Sequence, residues 1–312
     1  MKYDYYIADV FTTQLFNGAQ IAVFPKADGL TDTTMKLLAR ELNLSETVFV
    51  FHPEGSTDKR KMRIFSPKKE IDFAGHPIIA TAYVLGLCGD IALTEKITHI
   101  VLEQNVGSID VNITAVDGKP TFVQFARNVV SIIDRFAPTD EELASFLGIK
   151  QSELDHKKYS PRLVSCGFPY LIVPVWNYET VRQALFNSAA WSQSIAPQTA
   201  AQEILLFAPK TPFPDSDFNA RLLGPHIGIH DDPPIGSAMP AFASYLCSFE
   251  HTRKGTHVFA VDRGDAKSRR SVINLEMDNK GHESVALRVG GAAVLFAQGT
   301  IELPGEITDK KC

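Results

Sequence analysis

From residue 2 to 9 apolar and polar positions alternate with a period of two, the mark of a strand with one buried face. A turn at Asn17-Gly18 precedes a second predicted strand at 21–24. Met35, Leu38 and Leu42 then recur at helical spacing, and Thr31 or Asp32 is placed to cap a helix running through Glu41. The run Thr47-Val48-Phe49-Val50-Phe51 is β-branched and aromatic, so Glu46 stands where a strand enters the core. Arg63-Ile64-Phe65 predicts a neighbouring strand, with Ser66-Pro67 as the turn that follows.

Between Asp72 and Leu85 the alternation stops and nearly every position becomes small or apolar. Pro77 has its φ already set for a first helical turn and lacks an N–H, so the segment predicts a buried helix with Gly75 and His76 at its mouth. First-turn N–H groups have no partner inside the helix and carry partial positive charge. They suit an anion such as a substrate carboxylate. The same grammar returns from Asp231 to Leu246: Gly75 falls on Gly236, His76 on Ser237, Ala80 on Ala241, Ala82 on Ala243 and Leu85 on Leu246, 161 residues on. That spacing is roughly half the chain and is what a duplication into two similar domains leaves behind.

Elsewhere the pattern predicts strands at 100–103, 108–114 and 121–127, with a hairpin at 116–120, and a capped helix at 139–147. A strand at 170–175, helices within 178–187 and at 189–194, and strands at 204–207 and 217–222 follow. The tail from 257 to 301 reads as hairpins with turns at 262–264, 278–281, 290–291 and 298–299. Many short strands with one apolar helix per half predict an α+β fold of two pseudo-symmetric domains, each a curved antiparallel sheet around a central helix. The expected domains are 1–127, completed by the last strand near 299–312, and 128–298.

Length changes this picture little, since 312 residues suit two domains of about 150. At 45% hydrophobic and 21% charged, the chain is neither disordered nor fibrous. Net charge is −5 with no basic cluster interleaved with aromatics, which argues against a nucleic-acid partner. Lys59-Arg60-Lys61 and Arg269-Arg270 read as solvated turns. No apolar run approaches the roughly 20 residues of a membrane span, and the N-terminus lacks the apolar stretch of a signal peptide. Cys88, Cys166, Cys247 and Cys312 show no CxxC spacing, which points to a reducing, cytoplasmic compartment and away from zinc. The histidines form no HxH or HExxH pattern, and GxGxxG, Walker and GxSxG signatures are absent from the sequence.

The chemistry-bearing residues are Glu46, His76 and Asp232, with Ser237 and the N–H groups around Gly75 and Gly236 as candidates to grip a carboxylate. A carboxylate entering an apolar core loses solvation, which raises its pKa toward a working range for proton transfer. From the residues alone each has a structural alternative. Glu46 reads equally as a turn glutamate or capping partner, His76 as a core histidine, and Asp232 as a helix cap.

Leu42-Asn43-Leu44-Ser45-Glu46-Thr47, Arg63-Ile64-Phe65-Ser66-Pro67, Phe73-Ala74-Gly75-His76-Pro77, and Asp231-Asp232-Pro233 with Gly236-Ser237-Ala238 stand in an order and spacing that resembles the phenazine-biosynthesis PhzF-like isomerase family, relatives of diaminopimelate epimerase. Weaker similarity at Gly167-Phe168-Pro169 and Val289-Gly290-Gly291 extends the resemblance over nearly the whole chain. It implies barrel-like domains around central helices, a site in the cleft between them, no cofactor and no metal, a small-molecule carboxylate substrate, and a homodimer. It also implies that Glu46 shuttles a proton, with His76 and Asp232 in support and Ser45, Gly75, Gly236 and Ser237 binding substrate, in an allylic isomerisation of the dihydro-hydroxyanthranilate type. Two cysteines serve the epimerase relatives as acid and base; the matching positions here are Ala74 and Ile235, so a thiol racemase is not expected. The chain departs from the family where Gly18-Ala19-Gln20 replaces Gly-Asn-Pro and Ile235 replaces Thr, which bears on substrate identity. Those departures also leave open a non-catalytic small-molecule-binding or interaction protein that keeps the fold.

Overall fold

The computed structural model describes residues 1–52, 59–228, 231–252, 254–265, 268–279 and 284–304. The chain divides into two compact units, one formed by Met1–Ala126 with the segment from Gly290 onward, the other by Arg127–Val289. The first unit holds strands β1 (Lys2–Val10), β2 (Ala19–Phe24), β3 (Glu46–Phe51), β4 (Lys59–Phe65), β5 (Glu70–Ile71), β6 (Ile97–Gln104), β7 (Gly107–Val116) and most of β8 (Lys119–Val130), with helices α1 (Asp32–Leu42) and α2 (Gly75–Leu87). The second holds β9 (Ile132–Asp134), β10 (Arg162–Ser165), β11 (Pro169–Pro174), β12 (Glu203–Ala208), β13 (Phe218–Leu223), β14 (Gly255–Asp265), β15 (Ser268–Asn279) and most of β16 (Ser284–Gly291). Its helices are α3 (Asp140–Leu147), α4 (Tyr178–Gln183), α5 (Ser188–Gln193) and α6 (Met239–Cys247). Strand β17 (Ala293–Glu302) returns to the first unit and pairs along β1.

In the first unit the strands lie in the order β17-β1-β2-β3-β4-β6-β7-β8, antiparallel except for the parallel steps β2/β3 and β4/β6. In the second, β10-β11-β12-β13-β14-β15 repeats the same alternation, with parallel steps at β11/β12 and β13/β14. The α+β class holds, but each sheet is mixed rather than wholly antiparallel. Parallel neighbours need a crossover, and a helix supplies it each time: α1 and α2 in the first unit, α4 with α5 and then α6 in the second.

Both faces of each sheet are covered. On one face of the first sheet α1 sets Met35 and Leu38 on Phe24, Phe49 and Phe65. Phe24 and Phe49 stack at 5.0 Å, and Phe49 meets Phe65 edge-on at 5.6 Å. Thr31 caps α1 by accepting from the Thr34 N–H, and Asn43 closes it in the left-handed region. On the other face lies α2, buried from Gly75 through Gly86, which explains why its sequence has no polar stripe. In the second unit Leu143, Phe146 and Trp191 cover Leu171, Val173, Ile204 and Leu206, while Phe242 of α6 packs on Phe207 and Phe218 from the opposite side.

Several expectations need correction. The turns predicted at 262–264 and 298–299 are strand interior, within β14 and β17, and Gly299 sits under the Tyr5 ring. Gly281 lies outside the described residues, as does Cys312. Lys59-Arg60-Lys61 is not a solvated turn: it opens β4, and Arg60 is buried against Asp90 with Nε 2.7 Å from Oδ2. Arg270 likewise lies in β15 and pairs with Asp215 and Asp262. The second mouth begins as a 3-10 turn, Gly236–Ala238, so α6 proper starts three residues beyond Gly236.

Candidate active site

Alternation along β3 decides where Glu46 points. Phe49 belongs to the cluster under α1, so Thr47 and Phe51 share its side, and Glu46, Val48 and Val50 face α2. Residues 47–50 are fully buried, and Glu46 is the half-buried residue at their head. Its Oε2 is buried and makes no hydrogen bond among the described residues. Loss of solvation raises the carboxyl above the ordinary glutamate range, and the Ser45 hydroxyl opposes this only in part. Ser45 itself is exposed and donates to the Gln20 carbonyl at 3.2 Å. A carboxyl with a raised proton affinity and an unoccupied acceptor is equipped to take and return a proton.

Ala74 precedes α2 with extended backbone and offers no capping oxygen. The N–H groups of Gly75 and His76 therefore open the helix, both residues buried. His76 is 3% exposed, and its ring meets Phe11 edge-on at 4.9 Å. In the same unit Gly18 takes φ +68°, and a Cβ there would collide with the Val10 carbonyl. The altered Ala19-Gln20 pair therefore follows a turn that still requires glycine.

In the second unit Asp232 is not a helix cap. Arg182 donates from Nη1 to its Oδ2 at 2.6 Å, and Arg263 Nε stands 3.5 Å from Oδ1. Oδ1 is buried and accepts no hydrogen bond among the described residues. Arg221 lies close enough for the Asp232 charge to act on it, and it donates to the carbonyls of Arg182, Ala184 and Asp231. Burial holds the Arg221 and Arg263 guanidiniums below their usual range, with Asp232 countering. These arginine partners lie 50 and 31 residues from Asp232, so nothing local in the sequence pointed to them. Asp231 is turned elsewhere and accepts from the Gly228 N–H at 3.1 Å.

Ile235, where the resemblance places one of the epimerase thiols, is fully buried; Ala74, at the other, is 7% exposed. Gly236 is buried and Ser237 exposed. Ser237 stands near the Tyr170 phenol on β11, whose pKa burial pushes up. Among the predicted residues, Ser45, Glu46, Gly75 and His76 thus belong to the first unit, and Asp232, Gly236 and Ser237 to the second. Cys88, Cys166 and Cys247 are free thiols. No helix among the described residues is long and apolar enough to cross a membrane.

Comparison with known proteins gives a consistent result. The sequence pattern of the family described as phenazine biosynthesis-like protein matches residues 8–299. An uncharacterized isomerase of Mesorhizobium japonicum is 31% identical over 301 residues, covering 96% of this chain and 98% of its own. The trans-2,3-dihydro-3-hydroxyanthranilate isomerase of Pseudomonas aeruginosa is 28% identical over 317 residues, covering 95% and 98%. The crystal structure of a Bacillus anthracis phenazine biosynthesis protein of the PhzF family matches with TM-score 0.84 over 97% of this chain and 100% of that one, a likeness of fold at 22% identity.

Proposed function

Because this chain belongs to the phenazine biosynthesis-like protein family, we propose that it is an isomerase that moves one proton within a small carboxylate, with Glu46 as the acid and base. The observation that carries this reading is the desolvated Glu46 carboxyl, whose buried Oε2 accepts no hydrogen bond among the described residues. In its ionised form Glu46 removes a proton from a carbon activated by an adjacent π-system or carboxylate. The electron pair shifts along the allylic system, and Glu46 returns the proton to the far carbon. Nothing is oxidised or reduced and no group leaves, so the step calls for neither metal nor nucleotide. His76, held by Phe11, steadies a hydroxyl or carbonyl beside the migrating proton. Asp232, held between Arg182 and Arg263, orients the substrate. Ser45 and Gly75 of the first unit and Gly236 and Ser237 of the second are the candidates to hold the carboxylate, within the homodimer that the resemblance implies. The likeness to the Pseudomonas aeruginosa relative supports a substrate of the dihydro-hydroxyanthranilate type.

The test is turnover of trans-2,3-dihydro-3-hydroxyanthranilate in deuterated water by wild type and Glu46→Gln. Loss of about 10²–10⁴ in kcat is expected for removal of a positioned proton carrier. Full activity in the glutamine variant removes Glu46 from the mechanism. Equal carboxylate affinity in both proteins with no proton exchange in either would instead mark a binding protein that keeps the fold.

A further inference from the structure

Among the described residues, those other than glycine with left-handed backbone are Phe11, Phe16, Asn43, Asp117 and Arg269. Three of them stand where the chain reverses: Asn43 closes α1, Asp117 lies in the turn between β7 and β8, and Arg269 sits at the bulged end of the β14–β15 hairpin. Phe16 lies in the exposed loop between β1 and β2, where its N–H donates to the buried Asp9 carboxylate at 3.0 Å. Phe11 is different, because it is aromatic and 1% exposed, with φ +62° at the end of β1. Sterics oppose that conformation for a bulky residue, so it persists only where the surroundings over-determine it.

Those surroundings are specific. The N–H groups of Phe11 and Thr12 both donate to the Ala292 carbonyl, at 2.8 and 3.2 Å, which turns the chain out of strand geometry directly after Val10 has paired with Ala293. Gly291 leaves space for the ring, since a Cβ there would collide with Phe11 at Cδ1. Gly290 makes room for Phe122 instead, so the two glycines are not interchangeable. The Phe11 ring is thereby set edge-on to His76, with centroids 4.9 Å apart and planes at 80°. Phe11, His76 and Gly291 all belong to the first unit.

We propose that Phe11 is a positioning residue that acts through His76: its left-handed backbone and the space at Gly291 fix the plane of the imidazole, and with it the nitrogen turned to the mouth of α2. The inference rests on the reading of His76 as the group that steadies a hydroxyl or carbonyl beside the migrating proton, and it names what aims that group. Buried as it is, Phe11 influences the reaction only through the ring it touches. The two imidazole nitrogens differ in role, so His76 serves the reaction in one ring orientation and not in its alternatives. A misplacement of about 1 Å costs on the order of 10²-fold in rate.

The test is Phe11→Leu, which keeps an apolar side chain and removes the aromatic edge, with Gly291→Ala as an independent way to displace the ring. ¹⁵N NMR of histidine-labelled protein, above the ordinary histidine titration range, reads the ring nitrogens of His76, assigned by their loss in His76→Gln. Wild type should show a single tautomer, and each variant should admit the second. With trans-2,3-dihydro-3-hydroxyanthranilate, Phe11→Leu should lower kcat about 10–100-fold at unchanged KM. In a His76→Gln background the same substitution should cost nothing further, because no imidazole remains to be aimed. A merely structural Phe11 would cost the same factor in both backgrounds. Two tautomers in wild type, an unchanged tautomer in both variants, or an equal loss of kcat with and without His76 overturns the proposal. If wild type turns over none of this substrate, the reading of the reaction fails, and the NMR comparison still decides the role of Phe11.

Discussion

Asp232→Asn is the perturbation that most directly separates structure from chemistry in the second unit. The wild-type carboxylate stands 2.6 Å from Arg182 and 3.5 Å from Arg263, and the three side chains are 19%, 13% and 10% exposed. At an effective dielectric of about 20, each contact has a gross attraction on the order of 5 kcal/mol, most of it offset by desolvation. The substitution leaves two mutually repelling guanidiniums without their counter-charge. Removing one partner of such a pair costs about 3–5 kcal/mol. Adding Arg182→Met to Asp232→Asn should then recover part of the loss, with a coupling of at least about 1 kcal/mol in a double-mutant cycle. Urea unfolding followed by tryptophan fluorescence is the assay, since both tryptophans, Trp176 and Trp191, belong to the second unit and report on it alone. A loss below about 1 kcal/mol in Asp232→Asn, or no coupling to Arg182, would refute the claim that Asp232 is the counter-charge of this cluster. Any fall in activity of Asp232→Asn would then be chemical rather than structural in origin.

Two other outcomes follow from groups in the first unit. The Glu46 carboxyl is raised by desolvation, so between the unfolded and folded pKa values the native state binds a proton that the unfolded state does not, and stability falls as pH rises through that window. Glu46→Gln removes the penalty: calorimetry should find it more stable than wild type at neutral pH and equal to it below the ordinary glutamate range, and equal stability at both ends would refute the burial argument. Asp90 accepts from Arg60 at 2.7 Å and lies 2.9 Å from His52, with side-chain exposures of 6% for Arg60 and 8% for Asp90. Arg60→Met should cost about 3–5 kcal/mol and Asp90→Asn should offset part of it, measured by calorimetric unfolding, whereas an unchanged melting temperature would mean the pair is neutral.

Legibility in the sequence followed the strength of local pattern. The apolar run after Glu46, the Thr31 cap and the small-residue stretch after Gly75 each carry their own physical signal, and β3, α1 and α2 form where those signals stand. Turn residues misled in the tail because long paired strands absorb them: β14 runs through Gly264 at φ +83° and into a bulge at Asp265. Arg60 reads as solvated because charge in a sequence says nothing of a counter-charge 30 residues away. The same limit hid Arg182 and Arg263. The parallel steps were also invisible, since direction is set by which strands the crossover helices bring together, not by strand composition.

Glu203 is a different kind of omission, because its signal was present. Glu46-Thr-Val-Phe-Val and Glu203-Ile-Leu-Leu-Phe are the same device, a carboxyl heading a strand that is buried on both faces. Aligning the two halves on Gly75 and Gly236 sets the glutamates out of step, because the residues between strand and helix mouth differ in number. Only the strand register, with Ile21 opposite Glu46 and Tyr170 opposite Glu203, restores the correspondence. At the positions where the resemblance expects paired thiols this chain has Ala74 and Ile235, both buried and neither able to carry a proton. At the strand heads it has two carboxyls, both raised by burial. Where the two units differ is in company: Glu46 stands opposite the apolar Ile21, whereas Glu203 stands opposite the phenol of Tyr170. A duplicated fold thus supplies two equivalent strand-head carboxyls, and the residue opposite each on the adjacent strand, Ile21 or Tyr170, sets their surroundings apart.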